Sequence, residues 1–561
     1  MTKVLLCLAL LLSTLAKGAE DPDWWRKAVI YEIYPRSFAD TNDDGIGDLN
    51  GITAHLDYLK DLGVDAIWIT PFYPSPQVDF GYDISDYRSI DPQYGTMEDF
   101  DRLMREATKR GIRVINDMVL NHTSDQHPWF KDSASSRRSK RADWYVWHDP
   151  DSKGHPPNNW QSIFGHSAWQ WNERRKQFYY HAFYKEQPDL NFRNRAVRDA
   201  MYDVLRFWMD KGVAGFRLDA VPSLFEDPML RDERYVEGVD AYGERKVSRQ
   251  YTDNLPEVHD VLHELRQVTN EYPGRVLIGE TYLPNAFELA KMYGKNRDEL
   301  HLPMDTQLGF INRLAIADFR EKLTEAETQL NGNPPLFVFD NHDNERSVDR
   351  YGDRVNDQPI QKLIATLLLT PRDAALIYYG EELGMRTNTP RRVEDVRDPI
   401  GRMGWPQEKG RDGERTPMQW NNDANAGFGG TRQPWLPIGE DYKTVNVAVE
   451  SKQADSLLNY YKRLIKLRKE NAQLRDGDFV MTDEKNNAVL SYIRQTHDGQ
   501  AVLVALNFTG TSQTFSLDLT TRGVKGKHLK TLAASFASAE QIDLAHITLP
   551  QYGSYVGQVT P

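Results

Sequence analysis

The chain has 561 residues, of which 27% are charged and 40% hydrophobic. That balance excludes collagen-like, disulfide-scaffold and largely disordered classes. A net charge of −13 at pH 7 argues against binding nucleic acid, whose phosphate backbone calls for basic patches, and leaves a small neutral ligand open.

Lys3 followed by the apolar run Val4 to Leu12 and the small residues of Ala16-Lys17-Gly18 predict a secretory signal peptide over 1–18, and so a secreted, extracellular protein. A membrane anchor is the competing reading, but the run is too short to span a bilayer as a helix. No later stretch approaches ~20 apolar residues, so no membrane span is expected. The C-terminal Tyr552 to Pro561 is polar and lacks a lipid-anchor tail. The single cysteine, Cys7, falls inside the signal, which leaves a mature chain with no disulfide and no thiol nucleophile.

From Trp24 to about Tyr379 the chain alternates strand-like and helix-like stretches. The strands are Val29 to Tyr34, Ala66 to Thr70, Arg113 to Leu120, Phe216-Arg217-Leu218, Val276-Leu277-Ile278, Leu336 to Phe339 and Ala375 to Tyr379. Between them Ile52, Leu56 and Leu59 share a helical face that Gly63 stops. Thr96 reads as the N-cap of a helix ended by Gly111, and Val197 to Trp208 forms another, ended by Gly212. Alternating units of this kind predict a parallel sheet, and seven or eight of them favour a closed TIM (β/α)8 barrel. Residues 123–194, rich in Trp, His, Pro and Asn, are too long for a loop and read as a subdomain inserted after strand three. Residues 382–451 form a second Gly-, Pro- and Arg-rich excursion, so the barrel would comprise 19–122 and 195–475. Beyond a helix near Leu457 to Arg468, short alternating runs such as Ala501 to Leu506 predict an all-β C-terminal domain, a β-sandwich over 476–561.

Barrel enzymes keep their chemistry where the strands end. Strand three ends in Asp117-Met118-Val119-Leu120-Asn121-His122, strand four in Arg217-Leu218-Asp219-Ala220, strand five in Gly279-Glu280-Thr281 and strand seven in Asp340-Asn341-His342-Asp343. One carboxylate at a strand end is more often a cap or a salt-bridge partner. Four such ends with His and Arg among them form a composite site.

These four segments, DMVLNH, GFRLDA, GET and FDNHD, resemble in order the short motifs of the α-amylase family of glycoside hydrolases, family 13. VDFGYDISDY, GEELGM, QPDLN and RTPMQW extend the likeness, the last two toward the oligo-1,6-glucosidase and maltase branch. A secreted form without further modules resembles insect-type maltases. The resemblance implies that Asp219 is the nucleophile, Glu280 the general acid/base and Asp343 the group that fixes the ring hydroxyls. Arg217, two residues before Asp219 on one strand, shares its side and favours its ionised form. Negative Asp219 and Asp343 raise Glu280. His122 and His342 suit sugar hydroxyls as neutral donors, with structural histidines as the alternative. The resemblance further implies that Asp79, Tyr82 and Arg415 complete the terminal-glucose pocket, Asp79 and Arg415 gripping the 4-hydroxyl. Such a blocked end makes the enzyme exo-acting; the alternative for Arg415 is a surface cation.

The implied activity is that of a retaining α-glucosidase acting on small oligosaccharides, and Ala220, after the nucleophile, favours α-1,4 linkages and sucrose over α-1,6. A transglycosylase or sucrose isomerase is one alternative; a non-catalytic receptor-like barrel is another. Nothing in the sequence specifies an oligomeric state. Among the aromatics of the insert, Phe164 and Phe183 are expected to line the leaving-group side, and Trp147, Trp160, Trp169, Trp171, Phe178 and Tyr179 the insert's own core. Asp40, Asn42, Asp44, the Ile46 carbonyl and Asp48 alternate as ligands of a hard cation, Ca²⁺ or else Mg²⁺, in a structural role; an Asx-rich turn without metal is the alternative. Asn507-Phe508-Thr509 is a glycosylation sequon open to use, whereas Asn121-His122-Thr123 lies in the expected active site and is expected to stay unmodified.

Overall fold

The computed structural model describes residues 21–561. The expected signal segment and Cys7 lie outside the described residues. Among those residues eight parallel strands close into a barrel: β1 (Val29–Ile33), β2 (Ala66–Ile69), β3 (Arg113–Val119), β4 (Gly215–Asp219), β5 (Val276–Gly279), β6 (Leu302–Asp305), β7 (Leu336–Val338) and β8 (Ala374–Tyr378). The strand missing from the sequence reading is β6. It contains Pro303, which lacks a ladder donor and argues against a central strand. Two contacts on each side hold it: Ile278 and Gly279 face Leu302 and Pro303, and Met304 and Asp305 face Leu336 and Phe337.

The strand period of two divides each side chain run. Ile30, Ala66, Ile115, Ile278, Leu302, Met304, Leu336, Val338 and Leu376 fill the barrel interior. Their neighbours Tyr31, Ile67, Val114, Phe216, Leu277, Phe337 and Ile377 face outward into the helix layer. Each large side chain so buried stabilises the fold by ~1.5–3 kcal/mol. At Gly215 the strands approach so closely that a Cβ would lie 2.1 Å from the Val276 carbonyl oxygen, so only glycine fits.

The helices start and stop on the expected residues. Thr96 and Asp99 form a reciprocal capping box at the start of Met97–Arg110, and Gly111 ends that helix with φ 74°. The helix read across Ile52 to Leu59 is two, Leu49–Ala54 and Leu56–Leu62. They break at His55, whose ring stacks on Trp420 at 3.7 Å.

Between β3 and β4 the chain builds a helix, Pro128–Ser135, and a three-stranded antiparallel sheet of Trp147–His148, Trp169–Asn172 and Gln177–Tyr180. Trp160, Trp169 and Phe178 form its core as expected, with Trp171 packed against it and Tyr180 added, whereas Trp147 and Tyr179 pack into the barrel's cluster instead. The sequence reading missed a hairpin after β4, Tyr235–Val239 with Arg245–Val247, because its strands are exposed and lack an apolar face. The segment leading into the hairpin clasps this insert: Trp160 Nε1 donates to the Arg231 carbonyl at 2.9 Å and Asn159 Nδ2 to that of Glu233 at 3.0 Å.

The C-terminal part is all-β, a six-stranded antiparallel sheet with a two-stranded one. Leu503, Leu529, Ile547 and Leu549 form its own core, while Leu490, Tyr492, Val504 and Val556 join the barrel's. Asn507 is not available for glycosylation, against the expectation. It is fully buried, and its Nδ2 donates to the carbonyls of Thr511 at 2.8 Å and Pro550 at 2.7 Å. Among the described residues no helix is long and apolar enough to cross a membrane.

Candidate active site

The polar side chains sit at the C-terminal ends of β1 to β5 and β7, on the inward phase of each strand. Register sets the arrangement. Asp117 on β3 pairs with Arg217 on β4, and Gly279 on β5 pairs with Leu218, so Glu280 falls beside Asp219. Glu280 is pinned there by its backbone N–H on the Leu218 carbonyl at 2.9 Å.

Arg217 is fully buried and serves three carboxyl groups. Its Nη1 donates to Asp219 Oδ1 at 2.6 Å and to Asp117 Oδ1 at 3.1 Å, and its Nη2 donates to Glu280 Oε1. Glu280 Oε2 accepts from the backbone N–H of Ala220 at 2.8 Å. Ala220 takes the left-handed conformation, φ 47°, uncommon for a residue with a Cβ. One cation among three buried acids cannot keep all of them ionised. Burial pushes Asp117 up to about 6 and Asp219 up to about 7, in each case against Arg217. Burial pushes Glu280 up to about 8 against the same Arg217, and Asp219 and Asp343 add to the rise. The order makes Glu280 the group that holds a proton at neutral pH and Asp219 the more readily ionised of the reacting pair. Burial leads the Glu280 shift, where the sequence argument named its two charged neighbours.

Asp343 is the opposite case. Burial works to raise it, but the guanidinium groups of Arg411, Arg415 and Arg217 hold it well below the usual carboxylate range. His342 is neutral, since burial lowers its pKa far below the ordinary value. Its Nδ1 lies 2.6 Å from Glu32 Oε1 and its Nε2 2.7 Å from the Tyr82 hydroxyl, and the Tyr82 ring stacks on it at 5.3 Å. Burial likewise lowers His122 to about 3; its Nε2 lies 3.1 Å from Gln187 Nε2 and from the Tyr82 carbonyl.

Asp79, Tyr82, His122, Phe164, Phe183, Asp219, Ala220, Glu280, His342 and Asp343 line one cleft of about 490 Å³, the size of a small-molecule site. Arg217 lies beneath it. Arg415 is displaced from its expected place. It is fully buried behind Asp343, with Nη2 donating to Asp343 Oδ1 at 2.8 Å and Nε to the His342 carbonyl at 2.7 Å. The arginine that reaches the cleft is Arg411, four residues earlier. It donates to Asp79 Oδ1 at 2.8 Å, to Asp343 Oδ1 at 3.0 Å and to Asp398 Oδ2 at 2.8 Å, with its guanidinium 5.2 Å from the Phe164 ring centre. Burial opposes a charge on Asp398, yet Arg411 holds it at about 2. Glu32 and Asp398 also escaped the sequence reading, and Asp117 and Gln187, though they lie in quoted segments, were given no role there. Asp117 carried a signal, since it lies two residues before Val119 on the same inward phase. Asp398 carried none, sitting in a loop without periodicity. On the outer side Tyr282 stacks on Phe310 at 5.5 Å.

Asn121 is buried with Nδ2 donating to Asp189 Oδ2 at 2.9 Å. In the loop 40–48 the side chains turn to their own backbone. Asp40 accepts from the amides of Asn42, Asp43 and Gly45, Asn42 from Asp44, Asp44 from Ile46, and Asp48 from Thr41 and Gly51. Among the described residues no three His, Cys, Asp or Glu side chains gather as metal ligands.

The α-amylase catalytic domain matches residues 32–477, and the C-terminal domain of maltogenic amylase matches residues 479–556. The chain belongs to the α-amylase family. This α-amylase family member is 40% identical over 551 residues to a probable alpha-glucosidase of Rhizobium meliloti (strain 1021), covering 96% of this chain and 98% of that one. It is 42% identical over 513 residues to maltase 1 of Drosophila virilis, covering 88% and 79%. Its fold matches the crystal structure of an alpha-glucosyl transfer enzyme with a TM-score of 0.87 at 39% identity, covering 96% and 99%. The chain is a glycoside hydrolase of the α-glucosidase type.

Proposed function

We propose that the protein is a secreted, retaining, exo-acting α-glucosidase that releases terminal glucose from maltose, short α-1,4 oligosaccharides and sucrose. The observation that carries this reading is the Arg411 guanidinium bonded at once to Asp79, Asp343 and Asp398. It closes the cleft beyond the reacting carboxyl groups, leaving room for one glucosyl unit on that side. Asp219 attacks the anomeric carbon while Glu280 gives its proton to the leaving oxygen. Once Asp219 is esterified, its charge no longer raises Glu280, which then takes a proton from water as water cleaves the ester. Asp219 and Glu280 share one guanidinium, which supports the short carboxyl separation of ~5–5.5 Å that retention needs, against ~6.5–9.5 Å for inversion. Ala220, at the cleft wall, supports the α-1,4 preference, because one small side chain shifts such a choice by ~1–3 kcal/mol.

A second reading, glucosyl transfer to a sugar acceptor, is favoured by the aromatic outer side of the cleft, where Phe164, Phe183, Tyr282 and Phe310 can hold a sugar in place of water. The test is release of glucose from maltose, sucrose, isomaltose and starch by the natural chain and by Asp219→Asn. Turnover of maltose and sucrose, little from starch, and loss in the variant by about 10⁴-fold are expected. Isomaltose as the best substrate overturns the use of Ala220. Disaccharides accumulating in place of glucose favour transfer.

A further inference from the structure

Glu32 lies on β1 two residues beyond Ile30, on the same inward phase, and so meets His342 inside the barrel. It is fully buried. Among the described residues its side chain has one bonded partner, His342 Nδ1 at 2.6 Å from Oε1, and Oε2 has none. No Lys or Arg among them is bonded to it. A carboxylate so placed would be a buried charge with one oxygen bare, which is costly; the carboxylic acid is not. Burial pushes Glu32 well above the ordinary carboxylate range against Arg217, and Asp343 and Asp117 add to the rise.

The neutral His342 ring has one proton, and counting donors places it. The ring is held between the rings of Tyr82 at 5.3 Å and Tyr34 at 5.9 Å. Its Nε2 lies 2.7 Å from the Tyr82 hydroxyl, and that hydroxyl lies 3.2 Å from Asp117 Oδ2. With the proton on Nδ1, Nε2 is an acceptor and the Tyr82 O–H is spent on it. The Tyr82 oxygen then faces Asp117 Oδ2 with no proton between them, and the bare Nε2 faces Asp343 Oδ2 at 3.3 Å. With the proton on Nε2, both conflicts vanish. Nε2–H donates to the Tyr82 oxygen, and the Tyr82 O–H donates to Asp117 Oδ2, which also accepts from Trp68 Nε1 at 3.1 Å and Arg217 Nη1 at 3.2 Å. Nδ1 is then a lone pair, and the proton it accepts at 2.6 Å comes from Glu32.

We propose that Glu32 is a positioning residue for glucosyl cleavage: as a neutral acid it donates to His342 Nδ1 and holds that ring with its proton on Nε2. The pair reverses the arrangement of serine-hydrolase triads, in which an ionised carboxylate takes the Nδ1 proton and leaves Nε2 as a base. Here the cleft, which His342 and Tyr82 both line, keeps a fixed donor that carries no charge. The acids around Arg217 are spared a further negative neighbour. The geometry stands by itself; its consequence for catalysis rests on the α-glucosidase reading and deepens it.

The first test is the ring itself. With histidine labelled by ¹⁵N in the ring, the natural chain is expected to show a one-bond ¹H–¹⁵N coupling at His342 Nε2 and none at Nδ1, assigned by the signals lost in His342→Gln. The second test is turnover of maltose. Glu32→Leu leaves Nδ1 buried without a partner and is expected to lower kcat/KM by about 10- to 100-fold. Glu32→Gln keeps a neutral donor and is expected to rescue activity to within about threefold of the natural chain, with the Nε2–H coupling retained. A proton on Nδ1 in the natural chain overturns the proposal. So does a Glu32→Gln chain that falls as far as Glu32→Leu, since a charge and not a donor is then what His342 needs. A folded Glu32→Leu chain with undiminished activity overturns it too. If thermal melting shows Glu32→Leu unfolded, the coupling in the natural chain and the rate of Glu32→Gln decide. A natural chain that hydrolyses no maltose sinks the α-glucosidase reading, and the ring coupling still decides this one.

Discussion

Replacing Asp117 by Asn removes one negative charge from beneath the reacting carboxyl groups while keeping an oxygen for its donors. Asp117 and Asp219 accept from the same Arg217 Nη1, at 3.1 and 2.6 Å, so their oxygens lie on the order of 5 Å apart. At that separation and an effective dielectric constant of ~20, two unit charges repel by ~3 kcal/mol, equivalent to ~2 pKa units. Rearrangement of Arg217 toward its remaining partners offsets part of this, which leaves a fall of about 1–2 units in the Asp219 pKa. The nucleophile works as the carboxylate, so activity is lost as pH falls through its pKa, about 7 in the natural chain. The acid works protonated, so activity is lost as pH rises through the pKa of Glu280, about 8. The pH profile of kcat/KM for p-nitrophenyl α-glucoside is therefore a narrow bell between the two. In Asp117→Asn the acid limb moves down by about 1–2 units. The alkaline limb, set by burial of Glu280 with Asp219 and Asp343 beside it, moves less. The bell broadens toward acid. An acid limb that stays in place or moves up refutes the argument that three acids compete for one guanidinium.

Asn507→Ala should cost ~1–3 kcal/mol, because a buried amide and its hydrogen bonds to the Thr511 and Pro550 carbonyls are lost, and this shows as a lower Tm. Endoglycosidase treatment of the protein expressed in eukaryotic cells should leave the mass at this site unchanged; an intact glycan on Asn507 contradicts the buried geometry. The divalent cation proposed for the loop 40–48 has a separate test. Chelation should lower Tm if Ca²⁺ or Mg²⁺ ties the loop, and an unchanged Tm assigns its closure to the hydrogen bonds from Asp40 and Asp48 alone.

The architecture was legible because strands with apolar runs and glycine-stopped helices recur at even spacing, and the chemistry because it lies at the ends of those strands. Strand β6 was hidden by Pro303, a residue that reads against a strand and survives here because a barrel strand of four residues needs few ladder bonds. The exchange of Arg415 for Arg411 shows a limit of another kind. Both arginines lie in one loop without periodicity, four residues apart, and nothing in RDGERTPMQW says which side chain turns inward behind Asp343 and which turns into the cleft. The same limit explains Asp398. The Asn507 sequon was misread because a sequon records a triplet and not exposure. Asp117 is different: it was visible at the end of strand three, and its place beside Arg217, with its part in the proton order, follows once register is known.

The central strands of the terminal sheet are covered on both faces. One side packs its own small sheet through Leu503, Ile547 and Leu549, and the other packs the barrel through Leu490, Val504 and Val556. Arg494 crosses the boundary to donate to the Thr370 carbonyl at 2.8 Å, at the base of the helix that leads into β8. A premature stop codon between residue 476 and Leu490 would strip this cover from the barrel wall, with every reacting group still encoded. The last strand, Ser554–Thr560, thus belongs to the wall that carries the reacting groups, through Val556 against the barrel's core.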